Sequence, residues 1–137
     1  MNINKEQLKK ILPHREHMLL IDKCELTADK SCVGYYAVTG GEFFLQGHFP
    51  GRPIVPGVIL CEMMAQNCHV LLPSGEYNVY LAEINNVKFR RTVVPGDIVE
   101  LKSRLIRKIG KFYSFEAEAY VDGHPAASGT FVLNLTL

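Results

Sequence analysis

The stretch HFPGRPIVPGVILCEMMAQNCHVLL, residues 48–72, decides the fold. Residues 58–72 are apolar on nearly every side and run into the helix-breaking sequence PSG, which predicts a helix buried on most of its faces. The preceding residues 40–56 are rich in Gly and Pro and predict a loop. Glu62 interrupts the apolar helix, and burying a carboxylate is costly unless the group is paired. A carboxylate at this position therefore indicates a function.

The flanking segments predict one α+β domain over residues 1–137. A short amphipathic helix fits residues 4–11, and hairpin turns are expected at Gly110 and at Asp122-Gly123. FYSFEAEAYV, residues 112–121, has the period of two expected for a sheet with one wet face. The predicted architecture is a long central helix wrapped by a curved antiparallel sheet of about six strands. These strands are expected at residues 19–26, 30–38, 78–91, 97–108, 111–121 and 126–135.

Composition places the chain among ordinary globular proteins, with 47% apolar and 21% charged residues. Its apolar stretches fall short of the roughly 20 residues that span a bilayer, so no membrane segment is expected. The N-terminal sequence MNINKEQLKKILPHRE lacks the apolar region of a secretory signal. We expect a cytoplasmic protein, or one processed into an organelle before this chain begins.

The four cysteines form no CxxC pair, which favours buried free thiols over a metal site. They are Cys24, Cys32, Cys61 and Cys68.

Positive charge is concentrated in residues 88–111, where eight Lys and Arg residues stand against two acidic ones, a net charge of +6. Such a segment can form solvated strand faces, or it can attract an acidic partner. Nucleic acid is not expected, because Phe89 is the only aromatic residue among these charges and the whole chain is nearly neutral.

Several side chains around the helix start suit acid–base chemistry. Glu62, buried among apolar residues, is expected to have a raised pKa and to act as an acid, and Gln66, one turn on, could orient it. His48 is the natural base, because an imidazole titrates near neutral pH. Gly57 stands where the first helix N–H groups lack internal partners and could stabilise an oxyanion.

The sequence GHFPGRPIVPGVILCEMMAQ closely resembles the signature of the FabZ-type β-hydroxyacyl-[acyl-carrier-protein] dehydratases, which have the hot-dog fold. ILPHREHMLLIDK and INNVKFRRTVVPGD extend the resemblance, in the same order, over nearly the whole chain. The resemblance implies His48 as catalytic base, Glu62 as catalytic acid and the Gly57 amide as oxyanion site. It implies no cofactor and no metal.

The resemblance also implies dehydration of a β-hydroxyacyl thioester to a trans-2-enoyl thioester in fatty acid biosynthesis. The expected partners are an acyl carrier protein and a second copy of the chain that shares the active sites, with a trimer of dimers as a further possibility. The proposed supporting residues are Gln66 and Phe49, and the proposed tunnel residues are Ile59, Met63 and Met64. Candidates for carrier-protein docking are Lys88, Arg91, Arg107, Lys108 and Lys111.

Some positions depart from the family pattern. His17, Glu83 and Thr92 differ from the usual residues, and Asn67, Cys68 and His69 replace the small residues that often follow the AQ pair. We expect these changes to affect the acyl tunnel and the loops and to leave the acid, base and oxyanion sites untouched, so chain-length preference is left open.

Three other functions compete with the dehydratase. A hot-dog thioesterase would use a helix carboxylate to activate water, but it would not need His48. A dehydratase that also isomerises the double bond could use the same acid and base. A non-catalytic acyl-binding module would need neither residue.

Overall fold

The computed structural model describes residues 1–137 and has the predicted α+β class. All seven strands form one antiparallel sheet in the order β1-β2-β3-β5-β6-β7-β4. The strands are β1 (Asn2–Ile3), β2 (Lys23–Ala28), β3 (Ser31–Ala37), β4 (Asn78–Phe89), β5 (Ile98–Ile109), β6 (Phe112–Val121) and β7 (His124–Thr136). The helices are α1 (Lys5–Ile11) and α2 (Gly57–His69), with a 3₁₀ turn at Phe43–Leu45.

The sheet has seven strands where about six were predicted. The additional strand, β1, is two residues long and pairs with β2 through Asn2 and Ile3. A two-residue strand carries no periodicity, so its pairing depends on the tertiary fold alone. The β6–β7 hairpin turns at Asp122 and Gly123 as predicted, and their φ angles of 50° and 77° are those of a type I′ turn.

Helix α1 begins with a capping box, because the side chains of Asn4 and Gln7 each accept a hydrogen bond from the other residue's backbone N–H. Helix α2 was predicted at residues 58–72 but runs from Gly57 to His69, because the residues after it form tighter turns. Neither helix has the length and apolar character that a membrane span requires.

Helix α2 packs against the sheet and contacts β3, β5, β6 and β7. Met63, Met64 and Cys68 on this helix are fully buried, and alternate residues of β6, including Phe115, face them from the sheet side of the core. The helix is therefore buried on several faces, as its apolar sequence predicted.

Asn67 on α2 is an unusual residue for a core, because it is polar and fully buried. Its amide donates to the carbonyl of Leu101 over 3.0 Å and to Oγ of Ser103 over 2.8 Å, which satisfies both N–H groups. A Cβ added at Gly34 would lie 2.2 Å from Oδ1 of Asn67. The buried asparagine at position 67 therefore needs a glycine at position 34. The four cysteines are free, and all except Cys61 are buried.

Strand β4 lies at the end of the sheet with one long edge unpaired. It is twelve residues long and exposes Tyr80, Leu81, Ile84 and Phe89. A long apolar edge of this kind is a template for pairing with another strand.

Candidate active site

Glu62 lies on the second turn of α2, with its side chain 28% exposed. Nε2 of Gln66 donates to Oε2 of Glu62 over 2.8 Å, so the contact predicted from their four-residue spacing is present. Gln66 is itself fixed, because its amide also donates to the Met18 carbonyl and accepts from the N–H of Leu20. The carboxyl group is thus oriented by a buried side chain with no unsatisfied group.

His14 is a second neighbour of Glu62 that the sequence did not reveal. Its Nε2 lies 3.4 Å from Oε2 of Glu62, the oxygen that Gln66 also binds. No hydrogen bond within the chain reaches Oε1 of Glu62. His14 belongs to the segment ILPHREHMLLIDK, which carries part of the family resemblance. This resemblance was the one feature of the sequence that could have pointed to His14 as a site residue.

The predicted rise in the pKa of Glu62 is wrong. Burial raises this pKa, but the contacts with His14 and Gln66, together with the charge interaction with His14, hold it below its usual value. The prediction failed because it placed the carboxylate among apolar residues alone. Two N–H groups stabilise the ionised form instead.

His69 lines the same cavity as Glu62. This corrects the expectation that Asn67, Cys68 and His69, which depart from the family pattern, leave the acid site untouched. Its ring packs edge-on against that of His14, with centroids 6.2 Å apart and planes at 79°. Burial and the neighbouring His14 charge lower the pKa of His69 to about 4. A cavity of about 150 Å³ is lined by His14, Glu62, Ala65, Gln66, His69, Val79, Leu81 and Leu133.

His48 lies in the loop before α2 and has a defined tautomer. Its Nδ1 is 2.8 Å from the carbonyl oxygen of Ile54, and because a carbonyl only accepts, Nδ1 carries the hydrogen. The other nitrogen, Nε2, therefore has its lone pair available. The ring stacks on Phe49, with centroids 4.2 Å apart, and Phe49 forms two backbone hydrogen bonds with Arg52 that close the loop.

The structure does not place His48 in the cavity beside Glu62. His48 is absent from the residues that line the cavity beside Glu62. That cavity therefore holds one of the two proposed catalytic groups and not the other.

Gly57 is the first residue of α2, and no side chain caps this end of the helix. A Cβ at Gly57 would stand 2.9 Å from the ring of Phe89, so a side chain here would have to displace that ring. Of the proposed tunnel residues, Met63 and Met64 are fully buried in the core and Ile59 is half-buried.

The basic residues predicted to form one patch divide into two groups. Lys88 on β4 lies in one row across the sheet with Ser128 on β7, Glu118 on β6 and Lys102 on β5. Lys108 lies six residues further along β5 than Lys102. At about 3.3 Å per residue this separates Lys108 from the Lys88 row by about 20 Å. Lys88 and Arg91 flank Phe89 near the start of α2, and the second group consists of Arg107, Lys108 and Lys111.

Comparison with known proteins identifies the class. The sequence model of the ApeI-like family, described as ApeI dehydratase, matches residues 24–130. The 3-hydroxyacyl-[acyl-carrier-protein] dehydratase FabZ of Streptococcus equi subsp. zooepidemicus is 43% identical, covering 91% of this chain and 92% of its own. The FabZ of Lactococcus lactis subsp. cremoris is 41% identical, with 98% and 96% covered.

Two solved structures share the fold. The dehydratase heterocomplex ApeI:P from Xenorhabdus doucetiae matches with a TM-score of 0.79 at 21% identity, covering 95% of this chain and 91% of that chain. A hypothetical thioesterase with coenzyme A from Streptococcus pneumoniae matches with a TM-score of 0.66 at 13% identity, covering 82% and 84%. The chain is a member of the hot-dog class. It belongs to the FabZ-type β-hydroxyacyl-[acyl-carrier-protein] dehydratase family.

Proposed function

We propose that the chain removes water from a β-hydroxyacyl-[acyl-carrier-protein] to give the trans-2-enoyl thioester, in the fatty acid biosynthesis of the cytoplasm. The observation that carries this proposal is the geometry of Glu62. Gln66 donates to its Oε2, Nε2 of His14 lies 3.4 Å from the same oxygen, and Oε1 is left without a partner in the chain. A carboxyl group held in this way can pass a proton at Oε1 without changing its orientation.

The proposed reaction moves two protons. Nε2 of His48 removes the proton from C2 of the substrate, and the electron pair of that bond forms the C2–C3 double bond. Developing charge on the thioester oxygen is stabilised by the N–H of Gly57 at the positive end of α2. The C3–O bond breaks, Oε1 of Glu62 gives its proton to the departing hydroxyl group, and water leaves. No cofactor takes part in this sequence.

The lowered pKa of Glu62 is compatible with this role. The reacting pair, His48 and Glu62, carries one transferable proton, and in the reverse hydration the ionised Glu62 is the base that activates water. Covering the exposed part of Glu62 with substrate or a second subunit would remove water from the carboxylate and raise its pKa. The group would then become a better acid catalyst in the closed site.

A shared site between two copies of the chain would explain why His48 does not line the cavity beside Glu62. The unpaired apolar edge of β4 supports pairing with the same strand of a second copy around a two-fold axis. Strand β4 also contributes Val79 and Leu81 to the cavity beside Glu62, so a partner at this edge would approach the carboxyl group. We infer that His48 of one subunit serves Glu62 of the other. The family resemblance further suggests a trimer of dimers.

The partner that delivers the substrate is an acyl carrier protein, which is acidic. Lys88 and Arg91 are the better docking candidates, because they flank Phe89, whose ring reaches Gly57, where the thioester would bind. Arg107, Lys108 and Lys111 of the same chain lie at the other end of the sheet. Charge complementarity at the first group would guide the acyl chain towards the start of α2.

One assay separates this function from the thioesterase that shares the fold. An enoyl thioester is offered, and the loss of its conjugated double bond is followed together with the release of free thiol. We expect hydration, the reverse of dehydration, without thiol release, and no hydration by Glu62→Gln. Thiol release without hydration would contradict the proposal and favour a thioesterase.

A further inference from the structure

We propose that His14 is a positioning residue of this site, which fixes Glu62 through Oε2 and is itself held in place by His69. This role rests on the proposed function of Glu62 as the acid. It concerns how that carboxyl group is prepared for proton transfer. His14 would direct the proton of Glu62 to one of its two oxygens.

The first support is that two donors converge on one oxygen. Nε2 of Gln66 lies 2.8 Å from Oε2, and Nε2 of His14 lies 3.4 Å from it, within the range of an ion pair but longer than a good hydrogen bond. An oxygen that faces two N–H groups is a poor place for a proton, so the protonated acid carries its hydrogen on Oε1. With Gln66 alone, this preference would be weaker.

The second support is an unpaired atom. Nδ1 of His14 is buried and has no hydrogen-bond partner. Facing a carboxylate, Nε2 carries the hydrogen, and Nδ1 is left without a partner whether or not the ring is protonated. A buried polar atom without a partner is uncommon and calls for an explanation. Here the unsatisfied Nδ1 accompanies a ring orientation that places Nε2 3.4 Å from Oε2 of Glu62.

The third support is the packing of His69. Its side chain is buried, and its ring meets the ring of His14 edge-on. The imidazole of His69 thus fills the space beside His14. The packing restricts the ring of His14 to the orientation that reaches Glu62.

The surroundings of Glu62 leave few other groups that could take this role. Helix α2 supplies Gln66 and His69, and the segment after α1 supplies His14. The residues that β4 and β7 contribute to the cavity are apolar: Val79, Leu81 and Leu133. His14 is therefore the titratable side chain whose loss would change the charge balance at Glu62 most.

The test measures the titration of Glu62 directly, through the NMR signal of its carboxyl carbon in the full chain. In His14→Leu we expect the midpoint to rise by about one pH unit, because a donor to the ionised form is lost. His14→Gln, whose amide can present an N–H near the position of Nε2, should return the midpoint towards the wild-type value. His17→Leu, at an exposed histidine three residues on, is the matched control and should change nothing.

Enoyl thioester hydration gives a second readout. Glu62 must be ionised to act as the base, so hydration is lost as the pH falls through its pKa, and a higher pKa moves this acid limb to higher pH. In His14→Leu the acid limb should follow the NMR midpoint. At neutral pH kcat should fall by about 10- to 100-fold, since small displacements of a catalytic group have effects of this size, with KM little changed.

Several results would overturn the role of His14. An unchanged midpoint and acid limb in His14→Leu would do so, as would equal behaviour of His14→Leu and His14→Gln. If His14→Leu does not fold, His14→Asn, whose amide reaches only towards the position of Nδ1, replaces it in the comparison with His14→Gln. If the wild-type chain does not hydrate the thioester, the proposed function fails, while the NMR midpoints still decide whether His14 holds Glu62.

His69 is tested by paired variants. His69→Phe keeps an aromatic ring against His14 and should keep the Glu62 midpoint near the wild-type value. His69→Gly removes the ring and should shift the midpoint in the same direction as His14→Leu. Equal midpoints in the two variants would overturn the part of the proposal that concerns His69.

Discussion

Gln66 holds Glu62 from one turn away, with 2.8 Å between Nε2 of the amide and Oε2 of the carboxyl group. Gln66 is 1% exposed, and its other hydrogen bonds join α2 to the segment that contains Met18 and Leu20. The side chain therefore serves both the orientation of the acid and the stability of the fold.

Replacing Gln66 should affect both properties. Gln66→Leu leaves the N–H of Leu20 and the carbonyl of Met18 without their partner, and the free energy of unfolding should fall by about 2–3 kcal/mol. Denaturant unfolding measures this loss. Gln46→Leu, at an exposed glutamine, is the control for stability. Equal stabilities of the two variants would show that the buried amide contributes little.

The acid and the base should each be essential for turnover. Glu62→Gln and His48→Ala should each lower kcat by at least about 100-fold, because a positioned proton-transfer group contributes roughly 10²–10⁴-fold. Circular dichroism and unfolding curves should stay close to those of the wild type. Glu76→Gln and His124→Ala, at exposed positions, are matched controls. Wild-type rates in Glu62→Gln or His48→Ala would refute the assigned roles.

His69 should make stability depend on pH in a defined window. Its pKa falls from an ordinary value of 6.5 to about 4 in the folded chain, so the unfolded chain binds a proton that the folded chain does not. Stability is therefore lost as the pH falls from 6.5 towards 4, by up to about 3 kcal/mol.

The measurement compares unfolding free energies of wild type and His69→Gln at several pH values across this window. The variant should lose less stability, because it has no imidazole to protonate. Glu42 and Glu62, whose pKa values are lowered from 4.5, act only at the acid end of the window. Identical slopes for the two proteins would count against a buried, neutral His69.

Carrier-protein docking should depend on one of the two basic groups. Lys88→Glu with Arg91→Glu should raise KM for a carrier-bound substrate and spare a small thioester analogue. The effect should shrink with added salt, because exposed charges are screened over about 8–10 Å near physiological ionic strength. Lys108→Glu with Lys111→Glu is the control from the other group. A larger rise in KM for this control pair would reverse the assignment.

Much of the fold was predictable from local patterns. The alternation in β6 and the Asp122-Gly123 turn were visible in the sequence because they depend on neighbouring residues. The contact between Gln66 and Glu62 followed from helical spacing alone. Strand β1 was missed because two residues carry no pattern.

The remaining features depend on the tertiary fold. His14 reaches Glu62 from a segment nearly fifty positions away in the chain, so no spacing rule connects them. The pKa prediction for Glu62 went wrong for the same reason, because its direction depends on donors that the helix sequence does not contain. The basic segment divided into two groups because antiparallel strands carry consecutive charges to opposite ends of the sheet.

The measurement that tests the shared site most directly mixes two inactive chains. Differently tagged His48→Ala and Glu62→Ala chains are combined, and the heterodimer is purified and assayed for hydration of an enoyl thioester. If each site takes its histidine and its glutamate from different subunits, one site carries both substitutions and the other is intact. The heterodimer should then recover roughly half of the wild-type activity per dimer. A verified, folded heterodimer without activity would contradict the shared site, because each site would then have to lie within one chain.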